Sequence, residues 1–525
     1  MSDVAAPPDG GTNEARRGAF SSRRVFILAA IGSAVGLGNI WRFPYVAYEN
    51  GGGAFVVPYL VALLTAGLPF LLLDYALGHR FRGSAPLSFA RLRRGTEGFG
   101  WWQVAICTVI AVYYAAVIAW ALRYTFFSVD TAWGDDPEGF FFGEFLQAGD
   151  VRVTADVVPG VLVPLAIVWA AVLVIMALGV QRGIGATSVV FIPVLVLAFA
   201  ALVVRALFLP GAAAGLDAFF TPDWSALTSA GVWAAAFGQI FFSLSIGFGI
   251  MITYASYTGR RENMTGSGFV VGFANSGFEL LAGIGVFAAL GFMAQASGVA
   301  VNDVVSSGIG LAFIAFPTII SEAPAGALIG VLFFGSLVIA GITSLVSVIE
   351  VVISAFRDKF DTSRLTATLA VGLPITLVSL VLFGTTSGIY VLDVVDHFVN
   401  QYGILVVALV SMLVVVWVVR ALPSLADHLN RHGFPRLGPV WRVVTSVVTP
   451  LTLAVVLVFT LRDDLAEPYG GYPTWLLVVF GWGMVVLLPV VGFLLARLPW
   501  RRGTHLDGVP PETVPAATDH EEGRR

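Results

Sequence analysis

The chain runs apolar for about 20 residues at a time, twelve times over. A run of that length matches one structure, an α-helix about 30 Å long that crosses a bilayer. Inside lipid each backbone N–H and C=O must bond within its own segment, and a helix achieves this. The twelve segments are 22–48, 53–79, 100–128, 158–178, 185–208, 227–257, 264–296, 325–356, 365–385, 389–420, 439–461 and 473–498. A transmembrane barrel would alternate polar and apolar residues, and these segments do not. The expected fold class is therefore an all-α polytopic membrane protein. Charged residues make up 12% of the chain, against about 25% in soluble domains. That excludes a soluble enzyme, a disordered regulator and a nucleic-acid binder. The net charge of −4 implies no charged partner, and the single Cys107 can form neither an internal disulfide nor a cysteine-based metal site. Residues 1–20 are polar and do not read as a signal peptide, and 500–525 are polar too.

Arginine and lysine orient the spans, since cytoplasmic loops carry an excess of both. With the N-terminus inside, most of the 29 basic residues fall on the cytoplasmic side, in clusters such as Arg80 to Arg94, Arg260 with Arg261, and Arg497 to Arg502. Both termini are then cytoplasmic. The loop 129–157 is acidic and lies outside.

Two spans contain residues that a helix interior resists. The first reads Gly32-Ser-Ala-Val-Gly-Leu-Gly-Asn-Ile-Trp-Arg-Phe-Pro44, and the sixth reads Gly238-Gln-Ile-Phe-Phe-Ser-Leu-Ser-Ile-Gly-Phe-Gly249. Glycine costs a helix about 1 kcal/mol and proline about 3 kcal/mol. Glycines could instead serve close helix packing. Two runs at matching places, one opening each set of five helices, favour an inverted repeat with ligands bound at the breaks.

These residues resemble the signature of the neurotransmitter:sodium symporter family. The likeness extends through Glu49-Asn-Gly-Gly-Gly-Ala-Phe55, Pro58-Tyr59, Thr253-Tyr-Ala-Ser-Tyr257, Asn275 and Ala340-Gly-Ile-Thr-Ser344, over about residues 17–420. The resemblance implies twelve helices with a 5+5 inverted repeat, helices 1 and 6 broken, and an alternating-access cycle. The organisation is then a tail 1–21, repeats 22–208 and 225–420, two further helices in 437–498, and a tail 499–525. It also implies a plasma (inner) membrane location, sodium-coupled amino-acid symport, two sodium ions as co-transported ligands and no cofactor.

By the same resemblance, the first sodium site would use Ala34, Asn39, Ser243 and Asn275, completed by the substrate carboxylate. The family's usual threonine is Ser243 here, and the hydroxyl survives. The second would use Gly32, Val35, Ala340, Thr343 and Ser344. Taken alone, such Ser and Thr hydroxyls would bond back to their own helices. The substrate would meet Ser33, Ala34, Gly36, Gly38, Tyr114 and Ser243, with its side chain among Ile110, Phe242, Ser245, Phe248, Ser344 and Val348. Monoamine-carrying relatives have Asp where this chain has Gly36, so the space suits a carboxylate. The lining is apolar and uncharged, which suits a neutral hydrophobic amino acid.

Charge inside a membrane is expensive and marks function. Arg42 and Asp396 resemble the family's outer gate, with Asp393 assisting and Tyr114 and Phe242 as an aromatic lid. Arg17 and Asp358 resemble the inner gate, beside Phe20 in place of a tryptophan. Glu279 stands one turn after Asn275, where chloride-dependent relatives have Ser. Its carboxylate would replace chloride, among Tyr59, Gln239 and Ser243, and could carry a proton. Gly183 and Pro193 would allow the fifth span to unwind, Glu49 and Asp74 read as structural caps, and His397 reads as an outer-surface residue. Glu350 has no readable role. A membrane-embedded enzyme would need a nucleophile–base pair or metal ligands in the spans, but the six histidines lie near span ends or in tails. A channel would need a continuous pore, which paired gates contradict.

Overall fold

The computed structural model describes residues 18–304 and 308–508. These residues form helices and no β-sheet, with only two isolated bridges, Gly52 to Pro222 and Val157 to Thr385. The principal helices are α1 (Arg23–Ala34), α2 (Leu37–Glu49), α3 (Leu68–Phe81), α4 (Glu97–Asp130), α5 (Pro159–Gly179), α6 (Ala186–Leu207) and α7 (Ala230–Ser243). They continue with α8 (Ile250–Ala255), α9 (Met264–Ser297), α10 (Gly326–Phe360), α11 (Arg364–Phe383), α12 (Gly388–Phe398), α13 (Thr449–Ala466) and α14 (Gly483–Ala496). Several begin where a polar side chain accepts an otherwise unpaired N–H. Asn263 accepts from Gly266 at 2.8 Å to open α9, and Ser363 accepts from Thr366 at 3.1 Å to open α11.

Among the described residues, nine helical segments are long and apolar enough to cross a membrane, or ten with the bent pair α1–α2 as one. One of them, Pro159–Leu207, has 49 residues. That is enough chain for two crossings at ~1.5 Å per residue, and Gly179, with φ 87°, leaves the helical conformation between them. The segment holds the expected spans 158–178 and 185–208 as α5 and α6, joined by a π-turn over Val180–Gly185. The expected span 227–257 is divided into α7 and the six-residue α8, neither long enough alone.

The centre of the bundle is α4 against α10, the most extensive helix pair. Here Trp120, Leu337, Leu345 and Ile349 are fully buried. The peripheral helices instead turn apolar side chains outward, among them Val163, Leu197, Leu377, Val458 and Val486. Such exposure suits lipid rather than water. Gly183 lies in the π-turn, but α6 continues unbroken through Pro193.

Candidate functional site

Between α1 and α2 the chain bends by 54°. Val35 and Gly36 are extended there, so helical bonding lapses for about a turn. Asn39 repairs part of the loss, its side-chain oxygen accepting the Gly36 N–H at 2.9 Å. Between α7 and α8 the break is sharper. Ser245, Gly247 and Gly249 all have positive φ, at 52°, 84° and 92°. Glycine adopts that conformation freely, whereas serine is strained in it. The Ser245 hydroxyl donates to the Ser33 carbonyl at 2.9 Å, tying one break to the other. Asp74 on α3 accepts the Gly247 N–H at 3.1 Å. Its capping thus falls on the second break, which no spacing in the sequence announces.

The two breaks enclose a cavity of about 80 Å³. All twelve residues expected at the substrate, Ser33, Ala34, Gly36, Gly38, Ile110, Tyr114, Phe242, Ser243, Ser245, Phe248, Ser344 and Val348, line it. A Cβ on Gly36 would lie 3.1 Å from both the Ser344 and Tyr114 hydroxyl oxygens, and one on Gly38 would lie 2.0 Å from the Phe242 ring. Side chains at these positions would therefore fill the cavity or displace its wall. The Tyr114 oxygen accepts the Leu37 N–H at 3.3 Å. Its own proton remains available for a carboxylate. The structure departs from the expected uncharged lining at one edge, where Asp396, Asn400 and Tyr113 also reach the cavity.

Three residues expected at the first sodium form one buried chain of bonds. The Asn39 amide donates to the Asn275 oxygen at 2.9 Å, and the Asn275 amide donates to the Ser243 oxygen at 3.0 Å. Each oxygen keeps a second lone pair for a cation. Ala34 lines the same cavity beside them. At the second expected site the Ser344 hydroxyl donates to the Gly32 and Ser33 carbonyls at 3.3 and 3.4 Å, bringing α1 and α10 together. The Thr343 hydroxyl instead turns back on its own helix, donating to Ala340 at 2.9 Å and Ile339 at 3.1 Å. The Val35 N–H closes the last turn of α1 on Ile31.

Above this cavity lies a second of about 750 Å³, lined by both Arg42 and Asp396. They form no ion pair here. The Arg42 guanidinium lies 4.5 Å from the centre of the Phe242 ring, and Asp396 accepts from Asn400. Asp393 lines the same cavity and accepts from the Tyr469 and Tyr472 hydroxyls at 3.0 and 2.8 Å. His397 is not a free surface residue either. It bonds Asp464 at 2.7 Å and stacks on Tyr469 at 3.7 Å.

Toward the opposite end, Arg17 lies outside the described residues. Asp358 accepts the Ser84 N–H at 2.8 Å. Phe20 is buried edge-on against Tyr254 and Tyr257, at 5.5 and 6.1 Å. Glu350, unreadable from sequence, pairs with Arg364 at 2.6 Å and accepts the Tyr257 hydroxyl at 2.5 Å. Its only sequence cue is an arginine fourteen positions on, across a helix end, a spacing with no helical meaning. Exposed Glu49 ends α2. Glu279 is fully buried. It accepts from the Tyr59 hydroxyl and from the Gln239 amide at 2.7 Å, and Tyr59 also bonds Ser276 at 2.9 Å. Ser243 stands beside it.

The sequence model of the sodium:neurotransmitter symporter family matches residues 17–141 and 134–500. An uncharacterized sodium-dependent transporter of Methanocaldococcus jannaschii is 41% identical over 489 residues, 93% of this chain and 99% of that protein. The sodium- and chloride-dependent neutral and basic amino acid transporter B(0+) of Mus musculus is 31% identical, over 90% of this chain and 83% of its own length. The sodium- and chloride-dependent GABA transporter 2 of Homo sapiens is also 31% identical, over 87% of this chain and 83% of its own length.

Proposed function

Since the chain belongs to the sodium:neurotransmitter symporter family, and is thus a multi-pass membrane transporter rather than an enzyme, we propose that it carries a neutral, hydrophobic amino acid together with sodium by alternating access. One observation carries this reading. The small cavity between the two breaks offers a tyrosine hydroxyl proton and glycine backbone at one side, buried amide and hydroxyl oxygens beside them, and Ile110, Phe248 and Val348 beyond. A carboxylate bound by Tyr114 would lie near Asn39, Asn275 and Ser243 and could complete a sodium shell. Sodium is a hard cation and takes oxygen ligands, by analogy with other hard ions. Substrate and ion then stabilise each other, which is the coupling a symporter needs.

The reading extends to two sodium ions, the second among Gly32, Val35, Ala340, Thr343 and Ser344. The Thr343 hydroxyl gives its proton to Ala340, and its oxygen lone pairs stay available to a cation. It also includes twelve crossings with repeats 22–208 and 225–420, helices in 437–498, and tails 1–21 and 499–525. The location is a plasma (inner) membrane with both termini cytoplasmic. Arg42 with Asp396 and Arg17 with Asp358 serve as the outer and inner gates. Glu279 supplies the negative charge that chloride gives in relatives, so transport needs no chloride. A proton taken up by Glu279 when sodium leaves would make the return step proton-linked.

Purified protein in proteoliposomes tests the reading. Uptake of labelled leucine should require an inward sodium gradient, continue when chloride is replaced by gluconate, and be inhibited most by hydrophobic members of a twenty-amino-acid panel. Uptake indifferent to sodium removal would refute the coupling. Transport by a Glu279→Ser variant should acquire a chloride requirement, and indifference to chloride would refute the substitution role.

A further inference from the structure

At the mouth of the substrate cavity a gate carboxylate is held away from its partner by neutral donors, the Asn400 amide on its own helix and the Tyr113 hydroxyl. Helix α12 ends at Phe398 and runs into a π-turn over Val399–Ile404. Such turns shift the helix register and often occur at functional sites. Here the turn leaves Asn400 and Ile404 both on the substrate cavity, and Asn400 also lines the larger outer one. The Asn400 amide nitrogen donates to the Asp396 carbonyl and to Asp396 Oδ1, each at 2.8 Å, and approaches the Tyr113 hydroxyl at 3.4 Å. Both Asp396 atoms are acceptors, so the amide must present its NH₂ to them. The reverse orientation would set oxygen against oxygen.

We infer that Asn400 is a positioning residue of the outer gate: it holds the Asp396 carboxylate on its own helix, away from Arg42, and so sets how readily the cavity closes over substrate. The inference rests on the reading of Arg42 and Asp396 as that gate. Arg42 meanwhile rests over the Phe242 ring, and Phe242 lines both cavities. Closure therefore exchanges bonds from neutral donors, the Asn400 amide and the Tyr113 hydroxyl, for an ion pair. Hydrogen bonds to charged groups are the stronger kind, so removing the amide favours closure. A neutral donor suits this task, because it restrains the carboxylate without neutralising it.

The test uses the full chain in proteoliposomes with Gln401→Cys, a position lining the outer cavity. The native Cys107 is buried and leaves the new thiol as the reporter. Reaction with a membrane-impermeant maleimide in sodium reads how open the cavity is. An equimolar mixture of the twenty amino acids should slow it. In Asn400→Ala and in the bulkier Asn400→Leu, the mixture concentration that halves the rate should fall about tenfold, equivalent to about 1.4 kcal/mol. The shift should vanish in an Arg42→Gln background, where the freed carboxylate has no partner to meet. A shift of the same size there would overturn the inference, because a merely structural role would not depend on Arg42. Half-protection unchanged in both Asn400 variants would overturn it as well. No protection in the chain with native Asn400, or full protection in Arg42→Gln alone, would instead overturn the gate reading, and the inference with it.

Discussion

The two ends of the bundle treat charge in opposite ways. At the end bearing Arg42, the carboxylates border a cavity of about 750 Å³ and are held by neutral donors: Asp396 by Asn400 and Tyr113, and Asp393 by Tyr469 and Tyr472. At the end bearing Lys359, charges are buried in pairs. Lys359 meets Glu97 at 2.5 Å, while the Trp101 and Trp500 indoles donate to the same carboxylate at 2.9 and 2.7 Å. Arg364 meets Glu350, and Phe20 closes on Tyr254 and Tyr257. A group held by a neutral donor keeps its charge available for a new partner. A buried pair resists separation, because removing one member strands the other. The first arrangement suits a gate standing open, and the second suits a side standing shut.

Breaking the shut end should have the largest effect. Lys359→Met leaves Glu97 buried without its cation, a loss of about 3–5 kcal/mol. Thermal unfolding in detergent should show a lowered midpoint, largely restored by adding Glu97→Gln. Equal stability of single and double variants would mean that the pair does not hold this end. Next in size is Gly38→Ala at the open end. Its methyl would lie 2.0 Å from the Phe242 ring, and overpacking costs about 1–3 kcal/mol. Leucine uptake should show a KM raised by ten- to a hundred-fold, on the order those energies give. A wild-type KM would place substrate elsewhere. Ser243→Ala removes one oxygen from the proposed first sodium shell. The sodium concentration for half-maximal uptake should rise about tenfold, as for the loss of about 1.4 kcal/mol. Unchanged sodium dependence would remove Ser243 from the shell.

The smallest effect concerns pH at the shut end. His428 bonds His79 at 2.9 Å. Burial, and then the neighbouring His79, Arg80 and Arg431, push His428 down to about 3 from 6.5. The unfolded chain takes up that proton below about 6.5 and the folded one does not. Stability from this residue is therefore full above 6.5 and declines as pH falls toward 3. His428→Gln should flatten part of the decline in melting temperature between pH 7 and 5. An identical slope in the variant would show that other groups govern it.

What was legible in the sequence follows local rules. Apolar runs of bilayer length dictate helices wherever they occur, since lipid leaves backbone groups no other partner. Gly32 to Pro44 and Ser243 to Gly249 announce breaks because glycine and proline act on the backbone at their own positions. The residues at those breaks, with Tyr114 and Ser344, could be named for the cavity in advance through a short motif shared with a family. The rest depends on partners far apart in the chain. Glu350 meets Arg364 across a helix end, Asp74 caps Gly247 from another helix, and Asp393 faces Tyr469 and Tyr472. Whether Arg42 and Asp396 stand together or apart is a property of a conformational state, and one sequence encodes every state of the cycle. The sequence by itself thus determined the helices, their breaks and the residue types around them. Tertiary structure alone decided which charges meet, because pairing turns on distances of a few ångströms between elements whose separation along the chain says nothing of their separation in space.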